Sequence, residues 1–522
     1  MCNTCPISSR AFRIFPQTRS PTCRMNRGIF RVAKYFLIFA FVFAIINISS
    51  QMWPVFNDIS FIRHLDHDLN PKDPIGRKID WHNYAQIELE KRKHGPGEHG
   101  SAIVIESFEK EENDRIFLVN GYNGLVSDKM SLTRSIKDIR HPDCKKALYY
   151  ENLPTTSIII PFYNEHLSTL LRTVESAMFR APKHLIKDVI LVDDGSTKPS
   201  LKGPLEEYLA NNYPLGNVRV LRHIKRVGLM AARLTGARNC TGEVMLFLDS
   251  HCEVGTNWLP PLLDPIAQDY RTVVCPFIDV IDAFTFEYRA QDEGARGAFD
   301  WEFFYKRLPR LPEDAKHPSQ PFDSPIMAGG LFVISSKWFW ELGGYDPGLM
   351  IWGGEQYELS FKIWMCGGKI IDTPCSRIGH VYRRKSVFPN PGIGDFIGVN
   401  YRRVAEVWMD EYKEYIYDRR PHYRDIDPGD LSQQKALRQR LKCKSFDWFM
   451  KTVAFDLIKR YPMIEPIPAA KGLIRSFINS TLCIDGGALK AMESVNLKPC
   501  SPNAPNQNFV VSWYDEIRVE KG

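Results

Sequence analysis

The pattern of apolar and polar positions changes character three times along the chain. Tyr35 to Ile46 is an unbroken apolar run of twelve residues, and no charge follows until Asp58. At 1.5 Å per residue such a run covers about 18 Å of a hydrocarbon core about 30 Å thick, so a full span has to recruit residues as far as Trp53. From Asp58 to about Lys110 the chain is polar and charge-rich, with Pro71, Pro74 and the run His94-Gly-Pro-Gly-Glu-His-Gly100. No apolar period persists there, so residues 54–110 read as a stem. Beyond it, short β-branched runs alternate with helical spacing. Ser157–Tyr163, Asp188–Asp194, Val218–Leu221 and Val244–Asp249 read as buried strands. Leu167, Leu170, Leu171 and Val174, and later Gly228–Cys240, read as helices. Strands and helices alternating in this way predict an α/β, Rossmann-like, mainly parallel sheet with both faces covered. Ligands of such sheets sit beyond the carboxyl ends of the strands.

Charge sharpens the N-terminal picture. The net charge is +7, from 68 basic and 61 acidic residues. Residues 1–34 contain Arg10, Arg13, Arg19, Arg24, Arg27, Arg31 and Lys34 and no acid, so the remainder is balanced. A nucleic-acid binder would spread its charge over a folded face, and no nucleic-acid partner is expected. Basic residues before the apolar run and Trp53 after it fit a signal anchor over 35–53, with 1–34 as a cytoplasmic tail and the rest in the lumen. A cleaved signal and a buried core helix are the alternatives, and Ile48-Ser49-Ser50 makes a poor cleavage site. Of the 12 cysteines, Cys2, Cys5 and Cys23 precede the run and nine follow it, an odd number that leaves at least one thiol free.

Acidic residues end two of the expected strands. Val192-Asp193-Asp194-Gly195-Ser196 either holds a base or ribose or is ordinary turn chemistry. In Leu248-Asp249-Ser250-His251 the alternation of an extended segment lets Asp249 and His251 converge on a divalent cation such as Mn²⁺, or the segment is a hydrogen-bonded turn. No GxGxxG follows a strand and no GxxxxGK[ST] occurs. A metal-assisted diphosphate site remains, and it needs a third ligand and a basic group later in the chain. Gly379-His380-Val-Tyr-Arg383 offers both. Met327-Ala-Gly-Gly-Leu-Phe332 permits close backbone approach, and Trp352-Gly-Gly-Glu355-Gln356-Tyr357-Glu358 either offers an aromatic platform with carboxylates suited to a sugar or is a helix-capping turn with core aromatics.

These blocks, with Ile160-Pro-Phe-Tyr-Asn-Glu165, Leu170-Leu-Arg-Thr-Val174, Gly228-Leu-Met230, Ala328-Gly-Gly330 and Arg402-Arg-Val-Ala-Glu-Val-Trp-Met-Asp410, resemble the polypeptide N-acetylgalactosaminyltransferases, densely over residues 111–461. The resemblance implies a GT-A fold, a donor and metal half over about 155–270, and an acceptor and sugar half over about 325–388. It further implies a Golgi type II membrane enzyme that moves GalNAc from UDP-GalNAc to Ser or Thr hydroxyls of polypeptides, with retention and with Mn²⁺ as cofactor. By position, Asp249, His251 and His380 look like the metal ligands. Asp194 and Ser250 look like nucleotide contacts, and Arg226 and Arg383 would touch the diphosphate or sugar. Gly330, Trp352 and Glu355 look like the wall of the sugar pocket, so that Glu355, Trp352 and Arg383 would serve catalysis.

Gln356 stands where most relatives carry Asn, which looks like the subgroup that prefers GalNAc-glycopeptides as acceptors. Pro161 replaces a frequent Thr, and Phe388 replaces a frequent Tyr in the substrate-binding loop after His380. The resemblance pairs Cys144 with Cys375, Cys366 with Cys443 and Cys483 with Cys500. After a linker over 462–472, residues 473–522 resemble the first repeat of a ricin-like lectin domain, an incomplete β-trefoil, because one repeat cannot bury its own apolar face. Asn479-Ser-Thr481 is an N-glycosylation sequon. The rival readings are a tethered protein that binds UDP-sugar or glycopeptide without turnover, and a transferase of another UDP-hexose.

Overall fold

A computed structural model describes residues 76–291, 294–385, 387–487, 494–513 and 516–520. The expected tail, anchor and first part of the stem lie outside these residues. Among the described residues no helix is long and apolar enough to cross a membrane.

The parallel core forms where the β-branched runs lie. Strands β1 (Thr156–Phe162), β2 (Ile186–Asp193), β3 (Val218–Arg222) and β4 (Val244–Phe247) run parallel in the order β3-β2-β1-β4. All seven β1 residues are buried, as a strand covered on both faces requires. The sheet continues through later strands, β5 (Cys252–Val254), β6 (Thr272–Ile281), β7 (Phe322–Asp323), β8 (Phe332–Ser335) and β9 (Lys369–Val381). Its full order is β7-β9-β6-β8-β4-β1-β2-β3, with β5 on β9. β8 is antiparallel to both β4 and β6, so the sheet is mixed rather than wholly parallel. Helix α1 (Leu167–Phe179) buries Leu170, Leu171, Val174 and Ala177 at helical spacing. It also completes the edge of β5, where Thr173 Oγ1 accepts the Cys252 N–H at 2.9 Å and Ser176 Oγ accepts the Val254 N–H at 3.3 Å.

Residues 76–110 differ from the expected stem. Lys78–Ile79 pairs with Tyr149–Tyr150, and Glu90 and Glu98 are buried. Arg180 donates to Glu90 at 3.0 Å and to the Val254 carbonyl at 3.1 Å, and the Ser135 hydroxyl donates to Glu98 at 2.7 Å. The polar composition that suggested a linker instead supplies buried partners for Arg180 and Ser135 of the enzyme body, a pattern that carries no apolar period.

Cys144 is bonded to Cys375, Cys366 to Cys443 and Cys483 to Cys500, and Cys240, Cys252 and Cys275 are free. At the C-terminus, Ala470–Leu473 pairs with Asn508–Val511, which pairs with Ile517–Val519, and Leu482–Asp485 pairs with Asn496–Pro499. Glu465 ties this part to the body through Arg518 and through Arg419 at 3.6 Å. The strand Ala470–Leu473 begins inside the expected linker.

Candidate metal and nucleotide-sugar site

Strand register explains how residues far apart in sequence meet. Leu248 to His251 leaves the carboxyl end of β4 and turns into β5. The β5–β9 ladder pairs Cys252 with His380, and the Val381 N–H donates to the His251 carbonyl at 3.1 Å. One ligand atom each of Asp249, His251 and His380 lies within 4.8 Å of the others. The two imidazoles pack edge to face at 4.6 Å, and His380 Nε2 is 3.4 Å from Asp249 Oδ2. His380 Nδ1 is buried without a hydrogen-bond partner among the described residues. One carboxylate and two imidazoles that leave a buried nitrogen unspent fit a divalent transition ion.

Electrostatics prepare the ligands. Burial holds the His380 imidazole below its ordinary value against the pull of Asp249, a shift toward the neutral form that ligation requires. Burial raises the Asp249 carboxyl, but the His380 hydrogen bond and the Arg233 charge outweigh it and bring it down to about 2.

Two chains of contacts converge on this cluster. The first starts at Phe388, which is half-exposed and lies 5.1 Å from the Arg383 guanidinium. Arg383 donates to both oxygens of Glu165, at 2.7 and 2.9 Å, and to the Asn120 carbonyl. Glu165 also accepts from the Tyr122 hydroxyl, from Ser250 Oγ at 2.7 Å, and bonds His251 Nδ1 at 2.8 Å. That last bond fixes the imidazole so that Nε2 faces Asp249 and His380. Burial raises the Glu165 carboxyl, yet Arg383 and His251 hold it well below the usual carboxylate range.

The second chain starts at Glu355, three residues after the exposed Trp352. Glu355 opens helix α2 (Glu355–Met365), accepts the Gly353 N–H at 3.0 Å and lies 3.7 Å from the buried Arg233. Arg233 in turn donates to Asp249 Oδ1 at 3.3 Å. Burial raises the Glu355 carboxyl against the Arg233 charge. Gly330 closes this side: a Cβ on it would stand 2.5 Å from Asp249 Oδ2.

Several residues sit differently from the expectation. Asp194 accepts the Val227 N–H at 2.7 Å and the Gly228 N–H at 2.9 Å, so its visible work is to shape the loop that carries Arg226. Ser250 turns inward to Glu165. Arg226 stacks on Tyr163 at 4.7 Å and donates to the Pro389 carbonyl at 2.8 Å, which pins the loop after His380. The sugar platform is narrower than its motif: Tyr357 and Glu358 are fully buried, and Glu358 pairs with Lys362. Sequence reasoning assigned no role to Glu165 or Arg233. The signal for Glu165 was an acid just past the first strand, as Asp194 and Asp249 follow theirs. The signal for Arg233 was a charge among the buried Met230, Ala232, Leu234 and Ala237.

A mixed α/β sheet with a carboxylate and imidazole cluster at its strand ends is the frame of a nucleotide-sugar transferase. The model of glycosyl transferase family 2 matches residues 157–343, and that of the N-terminal domain of galactosyltransferase matches 310–386. N-acetylgalactosaminyltransferase 6 of Drosophila melanogaster is 54% identical over 451 residues, 85% of this chain and 67% of the relative. Polypeptide N-acetylgalactosaminyltransferase 10 of Homo sapiens is 51% identical over 452 residues, 85% of this chain and 74% of the relative. Among solved structures, that of GalNAc-T7 with UDP, GalNAc and Mn²⁺ aligns with a TM-score of 0.69 at 41% identity, over 81% of this chain and 79% of its own. The chain belongs to the polypeptide N-acetylgalactosaminyltransferase family, and its fold is GT-A.

Proposed function

We propose that this chain transfers GalNAc from UDP-GalNAc to Ser or Thr hydroxyls of polypeptides with retention of anomeric configuration, and that Asp249, His251 and His380 hold the Mn²⁺ it uses. The observation that carries the reading is the convergence of those three ligand atoms within 4.8 Å at the strand ends, in a chain more than half identical to named family members. When bound, the ion would offset the charge that grows on the departing diphosphate. The chain's own groups do the rest. Arg383 is fixed beside the cluster through Glu165, and Arg226 is held on Tyr163 and the Pro389 carbonyl in the loop after His380; donors placed in advance cost no reorganisation during reaction. Gly330 leaves room for Asp249 and for a ligand's close approach. Trp352 offers a ring face to the sugar, and Glu355 a carboxyl to its hydroxyls. Retaining glycosidases form a covalent bond to one of two carboxylates; no nucleophile is assigned here, because Glu355 is tied to the Gly353 N–H and faces Arg233.

The basic, acid-free segment 1–34 ahead of the apolar run supports a single-pass Golgi anchor with the enzyme in the lumen. Three disulfides fit an oxidising compartment. The exposed Asn479, whose Oδ1 accepts from Thr481 Oγ1 at 2.7 Å, would carry an N-glycan. Gln356 supports preference for acceptors that already carry GalNAc.

The test incubates the full chain with UDP-GalNAc, Mn²⁺ and two acceptors, a bare Ser/Thr peptide and the same peptide bearing one GalNAc. Transfer to either supports the activity, and no transfer to both refutes it. Transfer to the bare peptide alone removes the glycopeptide preference.

A further inference from the structure

A cleft of about 270 Å³ opens directly beside the metal cluster, and Arg383 is the one residue it shares with the contacts described above. Its floor is the apolar end of β6 with Ile281 and Ala283, both buried. One wall is Tyr382, whose exposed ring packs edge to face on His380 at 4.7 Å. Opposite stand Asp282, Arg289 and Arg384. Asp282 Oδ1 is already filled, accepting from the Phe284 N–H at 2.9 Å, the Thr285 N–H at 3.1 Å and Thr285 Oγ1 at 3.3 Å. Only Oδ2 is left for two guanidinium groups, Arg289 at 3.3 Å and Arg384 at 3.9 Å. Arg289 also has Glu287 at 4.0 Å, at the limit of an ion pair. The cleft therefore carries an excess of guanidinium donors over carboxylate oxygens.

The Arg384 side chain is exposed, but its backbone is tied down and its guanidinium rests on an aromatic ring. Its backbone N–H donates to the Gly121 carbonyl at 2.9 Å, and its guanidinium lies over Phe284 at 5.4 Å. Phe284 stacks on Phe117 at 5.0 Å, and its carbonyl accepts from Asn123 Nδ2 at 2.9 Å. A stacked guanidinium keeps its edge N–H groups in plane, the geometry that grips a carboxylate with two parallel bonds. Pockets for whole small molecules hold about 300–1,000 Å³, so this cleft has room for one side chain.

We propose that this cleft is a specificity subsite for an acidic side chain, Asp or Glu, that flanks the modified hydroxyl in the acceptor polypeptide, gripped by Arg289 and Arg384 against the Tyr382 ring. The assignment rests on the acceptor being a polypeptide that crosses the metal cluster, because Tyr382 touches both places.

The test uses the full chain and fluorescein-labelled Ser/Thr peptides with Glu, Gln or Lys at each position flanking the hydroxyl. Anisotropy with UDP and Mn²⁺ present reads binding, and kcat/KM with UDP-GalNAc reads transfer. At one flanking position Glu should bind and react roughly 3- to 10-fold better than Gln, the yield of two half-exposed ion pairs, and Lys should do worse than Gln. Added salt should shrink the preference. Joint Arg289→Gln and Arg384→Gln should bring the Glu/Gln ratio to about one, and Arg384→Glu should turn the preference toward Lys, while melting temperatures confirm that the variants fold. Equal treatment of Glu and Gln at every position, or a preference for Glu that survives Arg384→Glu, would overturn the subsite. Transfer without any charge preference removes the subsite and leaves the proposed activity standing. Preferential binding of the Glu peptide without transfer to any peptide does the reverse.

Discussion

Glu165→Gln is the sharpest perturbation of the metal cluster that leaves every proposed ligand in place. The carboxylate receives Tyr122, Ser250, His251 and Arg383, the last of them carrying a positive charge. The amide keeps the shape but removes the charge, and its NH₂ must face at least one donor. Removing one partner of a buried ion pair costs about 3–5 kcal/mol, so the melting temperature should fall. The functional effect runs through His251: without a carboxylate on Nδ1, the orientation of Nε2 is no longer fixed. Loss of such an outer partner typically weakens metal binding by 10- to 100-fold, or about 1.4–2.7 kcal/mol. Titration of Mn²⁺, with the free ion followed by electron paramagnetic resonance, measures this directly. Tyr122→Phe removes one neutral donor to the same carboxylate, worth about 1 kcal/mol, and should shift Mn²⁺ affinity far less. A folded Glu165→Gln variant with Mn²⁺ affinity within about twofold of the parent would refute the claim that Glu165 positions the ligand set.

Other residues give independent tests. Gly330→Ala places a methyl group 2.5 Å from Asp249 Oδ2, so the carboxylate must move; Mn²⁺ affinity should drop by about tenfold or more, and an unchanged affinity would contradict this geometry. Burial lifts the Glu358 carboxyl to about 7. The fold thus keeps a proton that the unfolded chain loses above about 4.3, and stability declines as pH rises from there through 7. Glu358→Gln should flatten the dependence of melting temperature on pH, and identical profiles for parent and variant would contradict it. Reduction of Cys144–Cys375, which closes a loop of 231 residues, should lower stability by up to about 5 kcal/mol, read as a fall in denaturant midpoint. Asn479→Gln should abolish any glycosidase-sensitive mobility shift of the chain expressed through the secretory pathway; persistence of the shift would place the glycan elsewhere.

Local pattern carried much of the fold. The four parallel strands lie within two residues of the β-branched runs, most clearly at Thr156–Phe162 and Val244–Phe247, which are buried at every position, whereas the edge strand Val218–Arg222 is only half-buried. The antiparallel β8 and the long β9 left no periodic signature, since their pairing depends on partners remote in the chain. The spacing of Asp249 and His251 was readable from strand alternation, but the approach of His380 depends on the β5–β9 register, which no local pattern encodes. Residues 76–110 misled for a related reason: Glu90 and Glu98 are polar, and only the folded partners Arg180 and Ser135 make them interior residues. Glu358 misled in the same direction, since a carboxylate beside Trp352 looks like a sugar contact until Lys362 is seen one helical turn away.

The central claim is that the Asp249, His251 and His380 cluster drives metal-dependent GalNAc transfer. Its most direct test measures the initial rate of transfer from UDP-GalNAc to a Ser/Thr glycopeptide as chelated enzyme is titrated with Mn²⁺, for the parent and for Asp249→Ala. The parent rate should rise from near zero to saturation with Mn²⁺, and Asp249→Ala should stay near zero at every concentration while its metal-free melting temperature remains close to the parent's. A parent rate indifferent to Mn²⁺, or an Asp249→Ala variant that reaches the parent's rate, would contradict the account.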